Sequence, residues 1–268
     1  SYVCSAVASL ALVLIIGFIV IKGAPQVKWD ILFGEFVLAE KISIFPSIIT
    51  TLITVAISLV IALPTGIATA VFLNEYTKKN SIFVKVIRGA INVLSGIPSI
   101  VYALFGMVTF VVWFGNKISI LAGSFTIAIM LLPTIVRSTE ESLKAVGEGL
   151  REGSLALGAG KVRTIFKIVL PSALPGITSA IILSIGRVVS ESAPFMYTMG
   201  STLSPMPTGV MDSGTTLAVA LYKLSGEGYY VNEAYATAFV LLIIVLILNT
   251  LAGVVSGKIE KKLKGNKK

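Results

Sequence analysis

The apolar residues of this chain gather into runs of about 20 or more, and that feature decides most of what it can fold into. A helix rises about 1.5 Å per residue, so one such run crosses the roughly 30 Å of hydrocarbon in a bilayer. Inside lipid the backbone must satisfy its own hydrogen bonds, which leaves helices or a closed barrel. The runs are far too long for barrel strands. The sequence therefore predicts an all-α polytopic membrane protein. Composition agrees: 55% of the 268 residues are hydrophobic and only 13% are charged, against about 25% charged in soluble domains.

Six spans are expected, at about 3–21, 44–73, 89–114, 118–136, 172–194 and 234–255, in a single transmembrane domain covering 1–268. The first run is read as a span and not a leader, because it lacks a basic lead and its apolar stretch is too long. Pro64 and Gly66 interrupt the second run, where a proline should kink the helix or end its straight part. Gly96, Pro98 and Ser99 interrupt the third. A kink there lets another helix or a substrate path approach, and a mere packing kink fits equally well. Pro194 is expected to end the fifth span.

The distribution of charge orients the chain. Sixteen Lys and Arg fall in segments 74–88 and 137–171 and in the tail, against five in the loops of the opposite side. This positive-inside bias predicts that those segments and both termini are cytoplasmic. The net charge of +9 then marks a membrane face, and no nucleic-acid partner is expected. The single cysteine, Cys4, allows no intramolecular disulfide and suggests no Cys-based metal site. Histidine is absent, which removes the commonest metal ligand and the usual proton relay. No metal site, cofactor or catalytic residue is expected on this chain. It has no G-x-x-x-x-G-K-[ST] phosphate loop, so ATP and Mg would be held by a separate polypeptide. No internal repeat stands out, which weighs against a carrier built from paired halves.

Two stretches carry chemistry. Glu152 to Pro171, EGSLALGAGKVRTIFKIVLP, is polar, helix-forming and basic in a chain that is otherwise mostly apolar. Such a loop between spans suits docking of a partner. Alternatively, Leu155, Leu157 and Val162 simply cap the membrane domain. The other stretch is GRVVSESAPFMYT, Gly186 to Thr198. Arg187 and Glu191 are four residues apart, so the helix expected there puts them on one face, with Arg187 about 22 Å from Ser172 along the axis. A charge in such a segment costs from about 2.5 to over 10 kcal/mol and normally faces a bundle interior or a water-filled path. A guanidinium suits an oxyanion, and Glu191 can hold it in place or accept the proton of hydrogen phosphate. Ser190 and Ser192 add hydroxyls to this candidate substrate path. The competing reading is an ion pair that ties spans or subunits together.

The spacing E-x(5)-G-x(9)-I-x-L-P, set by Glu152, Gly158, Ile168, Leu170 and Pro171, resembles the EAA loop of permease subunits in ABC importers. In that family a short cytoplasmic helix sits in a groove of the ATPase. Gly153 and Ser154 stand where the family usually has alanines, and both are small enough for close packing. LSGIPSIVYALFG (Leu94 to Gly106), ATAVFLNEY (Ala68 to Tyr76), GRVVSESAPF and AYATAFVLLIIVLILN together resemble permeases of the phosphate-specific (Pst) ABC importer. The segment TTLAVALYKLSGEG leans toward the PstA type over the PstC type. Ser190 and Ser192 depart from the R-x-x-G-E-T-A-P usual in the fifth span.

The resemblance implies a type I permease fold with a cytoplasmic coupling helix in loop 137–171, in the cell (inner) membrane. It implies ATP-driven import of inorganic phosphate with a PstC-like second permease, a PstB-like ATPase dimer and an external PstS-like phosphate-binding protein. Arg187 and Glu191 would then line the path. An importer of molybdate, sulfate or phosphonate is the first alternative, and an ion-coupled carrier or channel the second.

Overall fold

A computed structural model of the chain describes residues 2–34, 42–78, 81–113, 117–203, 205–226, 228 and 230–265; no strand occurs among them. Among the described residues, five helical stretches are long and apolar enough to cross a membrane: Tyr2–Gln26, Phe45–Tyr76, Ile120–Ala145, Lys161–Ser190 and Val231–Ile259. They contain helices α1 (Tyr2–Gly23), α3 (Phe45–Val71), α6 (Ile120–Ala145), α9 (Leu170–Ser190) and α12 (Val231–Gly265). A short α2 (Trp29–Phe33) follows the first of these. The protein is thus an all-α, multi-pass membrane protein.

The third expected span is not one straight helix. Helix α4 (Ile82–Gly96) meets α5 (Ser99–Gly106) at a bend of 103°, and the pair makes a sixth crossing only if counted together. Pro98 supplies the reason, since it lacks a donor and forces the residue before it out of the helical region. Ile97 is accordingly extended, with φ −71° and ψ 130°. Tyr102 bridges the break, its hydroxyl donating to the Leu94 carbonyl at 2.8 Å. A Cβ built on Gly96 meets nothing of the described residues within 4 Å.

Other boundaries move as well. Residues 82–88, expected in a loop, open α4, and α6 runs to Ala145, nine residues beyond its expected end at 136. Helix α3 continues through Pro64 to Val71 and then widens into a π-helical turn, Phe72–Tyr76. The expected long loop after 194 holds α10 (Ala193–Thr198) and a largely buried α11 (Leu217–Gly226).

The chain divides into two compact units. The first comprises Ser1–Thr54, Ala103–Gly123 and Val189–Leu246. Its core includes the fully buried Ile120, Phe195, Met199 and Leu217. The start of α6 is pinned here. The N–H groups of Ser119, Ile120 and Leu121 donate to the carbonyls of Thr198, Asp212 and Val210, and Ala122 N–H donates to Ser119 Oγ. These loop carbonyls satisfy donors that a helix N-terminus leaves without partners. Asp212 closes the same loop: Thr208 Oγ1, Thr208 N and Gly209 N all donate to its Oδ2. Those bonds, the Thr208 hydroxyl first, hold its carboxyl below the ordinary 3.8.

The second unit comprises Val55–Tyr102, Ser124–Val188 and Ile247–Lys268. Ends of four helices meet in it around Val71, Leu73, Val84, Val136, Leu143, Ile165 and Val169. Membrane helices gain little from the hydrophobic effect and cohere by close packing, often over small residues. Gly66 shows this, since a Cβ there would come within 2.6 Å of Ile135 Cγ2 on α6. Gly176 on α9 is likewise pressed against Ser142.

Candidate functional site

Two places hold the residues that the sequence singles out. The first is the end of α9. Pro194 has no N–H to offer Ser190, so the ladder of α9 ends at that carbonyl, and Pro194 instead lies in the first turn of α10. Arg187 lies in the last turn of α9, whereas Glu191 and Ser192 form the two-residue break before α10. Glu191 thus stands one residue past the end of the helix that carries Arg187. Arg187, Glu191 and Ser192 are each partly buried and Ser190 is exposed. Ser192 starts the new helix, its carbonyl accepting from Met196 N–H at 3.0 Å.

The second place is the segment after α6. Helix α7 (Glu148–Ala156) leads through a tight turn to α8 (Lys161–Thr164), a π-helical turn (Ile165–Val169) and then α9. The widened turn precedes Pro171, whose ring crowds the carbonyl four residues back and offers it no donor. Gly158 sits at φ +82° in the turn closing α7, a backbone conformation that glycine adopts without strain. Its N–H donates to Leu155 O at 2.9 Å, and that of Ala159 to Ser154 O at 3.1 Å.

One face of α7 points inward. Ser154 is buried, and its Oγ lies 2.9 Å from Thr164 Oγ1 on α8. The small residue expected at 154 thus does allow close packing, whereas a Cβ on Gly153 would meet nothing within 4 Å. The rest of the segment is open: Glu152 is exposed, Leu150 and Leu155 are each 50% exposed, and Leu157, just past the helix, is 90% exposed. A groove of about 330 Å³ runs beside it, lined by Ser154, Gly158, Arg163, Lys167 and Ile168 among others. Leu170 and Pro171, both partly buried, begin α9. A nine-residue helix anchored through Arg151 and Ser154, with leucines and a carboxylate uncovered, is suited to docking.

Sequence reasoning missed the charges that hold α7. Arg151 is only 19% exposed and makes four bonds: Nε and Nη2 to Glu75 Oε1 at 3.3 and 2.9 Å, Nη1 to Val146 O at 2.6 Å and Nη2 to Leu143 O at 2.8 Å. One guanidinium thus joins α7 to Leu143 at the end of α6, to Val146 just past it, and to the π-helical turn after α3. Nearby, Glu140 receives Arg88 Nη2 at 2.5 Å and Lys144 Nζ at 2.9 Å. The Glu140–Lys144 spacing is readable in the sequence as an i,i+4 pair. The Glu75–Arg151 pair, 76 residues apart, is not.

Comparisons with known proteins agree on one family. A family model described as "Binding-protein-dependent transport system inner membrane component" matches residues 62–265. The Bacillus subtilis (strain 168) protein named "Probable ABC transporter permease protein YqgI" is 31% identical over 279 residues, 98% of this chain and 95% of that protein. "Phosphate transport system permease protein PstA 1" of Mycobacterium tuberculosis (strain CDC 1551 / Oshkosh) is 36% identical over 195 residues, 72% of this chain and 63% of that protein. Among solved structures, a bacterial ABC transporter involved in import of the acidic polysaccharide alginate aligns with a TM-score of 0.70 at 16% identity, covering 96% of this chain and 95% of that one. The MetNI methionine ABC transporter in an inward-facing conformation gives 0.59 at 22% identity, covering 82% and 94%. Both structural likenesses speak to fold alone.

Proposed function

We propose, because the chain belongs to the binding-protein-dependent transport system inner membrane components, that it is a PstA-like permease subunit of an ATP-driven importer of inorganic phosphate. The observation that carries this reading is the conjunction of α7 and its closing turn, with Leu150, Leu155 and Leu157 uncovered, and relatives named as phosphate permeases. The chain forms half of a translocation path with a PstC-like permease. A PstB-like ATPase dimer, which supplies the ATP and Mg chemistry, receives α7 and the Glu152 to Pro171 segment. A PstS-like binding protein delivers phosphate from outside. Segment 137–171 and both termini are cytoplasmic, a reading that the Lys and Arg distribution supports.

Arg187 offers planar donors to the anion. Glu191, four residues on and just past the end of α9, accepts the proton of hydrogen phosphate. Ser190 and Ser192 supply hydroxyls in the same short stretch. Gly96, Pro98 and Ser99 form the bend that shapes the third crossing. Transport proceeds by alternating access: closure of the ATPases moves α7, and the spans expose the anion site to each side in turn.

Phosphate uptake by the complete complex in vesicles tests the proposal. Uptake that requires internal ATP and the binding protein, and that molybdate and sulfate do not compete away, is expected. Uptake that continues on a membrane gradient without ATP would establish a carrier instead.

A further inference from the structure

Two adjacent residues at the end of α3 hold both arms of the α7–α8 hairpin. Glu75 receives the Arg151 guanidinium of α7, and its Oε1 also accepts from Asn74 Nδ2 at 2.8 Å. Next to it, the Tyr76 ring lies under Lys161 of α8, with Nζ 5.1 Å from the ring centroid. Glu75 is 8% exposed on its side chain, so this ion pair is largely shielded from water. Shielded charge pairs are costly to separate, because each partner would be left desolvated and alone. Both residues belong to the π-helical turn Phe72–Tyr76, a form of helix that recurs at functional sites.

We infer that the Phe72–Tyr76 turn is a strut that carries movement of the α7–α8 hairpin into α3, with Glu75–Arg151 and Lys161–Tyr76 as its two fastenings. The inference rests on the reading of α7 as the element an ATPase moves. Without the strut, α7 connects onward through its chain neighbours and packing alone, and part of its displacement is lost before it reaches α3. Arg151 and Glu75 are thus positioning residues, touching neither ATP nor phosphate. Holding the carbonyls of Leu143 and Val146 with the same guanidinium makes α6 move with α7 too.

The test uses the complete complex of both permeases, ATPase and binding protein in vesicles, with inorganic phosphate as the probe. ATP hydrolysed per phosphate imported is measured for the unaltered chain, Glu75→Gln, Arg151→Gln, the double variant, Tyr76→Phe and Tyr76→Leu. Glu75→Gln keeps size and an acceptor, so it leaves packing in place. The expected result is a ratio raised about threefold or more in each charge variant, within the range for residues that carry coupling between sites. The double variant should be no worse than the worse single one, and Tyr76→Phe should stay closer to the unaltered ratio than Tyr76→Leu. An unchanged ratio in Glu75→Gln and Arg151→Gln with import intact would overturn the strut. Loss of the ATPase from the purified complex would overturn it too, making the pair a docking feature. If the unaltered complex imports no phosphate at the expense of ATP, the functional proposal falls and this one with it.

Discussion

Gly158 gives a prediction whose size follows from the backbone. Its φ of +82° lies in the left-handed region, and a Cβ built on it meets nothing within 4 Å. Substitution there costs conformation alone, with no clash to add. An L-residue in that region costs about 1–2 kcal/mol, offset in part by the smaller freedom of the unfolded chain, about 0.4–1 kcal/mol for Gly→Ala. The net is about 1 kcal/mol for Gly158→Ala, or about fivefold in the population of the native turn. Helix α7 has nine residues, too few to be stable by itself, so little excess stability absorbs the loss. With purified ATPase titrated against the complex, Gly158→Ala should weaken association about fivefold. Gly158→Asn should weaken it less, since asparagine tolerates the left-handed region, and the β-branched Gly158→Val more. The ranking Asn, Ala, Val is the decisive readout. Equal affinities for all three would refute the argument that this turn geometry positions α7 for the proposed docking.

Other outcomes follow from the remaining geometry. Arg187→Gln should abolish phosphate uptake while the complex still copurifies with its ATPase, and near-normal uptake would make the residue structural. Gly66→Val should lower thermal stability in detergent by about 1–3 kcal/mol through the clash with Ile135, whereas Gly96→Ala, in open space, should leave it unchanged or slightly raised; equal effects would remove the packing account. The Asp212 carboxyl is held below 3.8 when folded, so its contribution to the 208–212 loop is present above that pH and is lost as pH falls through the lower folded value. Hydrogen exchange at the Thr208 and Gly209 amides should therefore stay slow at pH 5 and quicken in Asp212→Asn; identical rates in the two proteins would contradict it.

The membrane class, the number of apolar runs and the place of a short helix between spans were legible because each depends on composition within a short window. Run length against bilayer thickness needs no partner residue. The small residue at 154 and the glycine at 158 follow from local spacing and backbone freedom in the same way. Proline was the less certain guide. Pro64 lies within a continuous α3, Pro98 sits at a bend of 103°, and Pro194 takes its effect four residues earlier, at Ser190. A proline removes one bond and crowds one carbonyl, and whether the helix tolerates that depends on what packs around it.

Pairings distant in the chain were decided only by the tertiary structure. Nothing near Glu75 announces Arg151, and nothing near Ser119 announces the carbonyls of Thr198, Val210 and Asp212 that cap α6. Side-chain identity states what a group can bond to, while the meeting of two groups depends on how the intervening helices pack. The sequence thus determined that this chain lies in lipid and carries a short helix between its spans; the packing determined which charges fasten that helix to its neighbours.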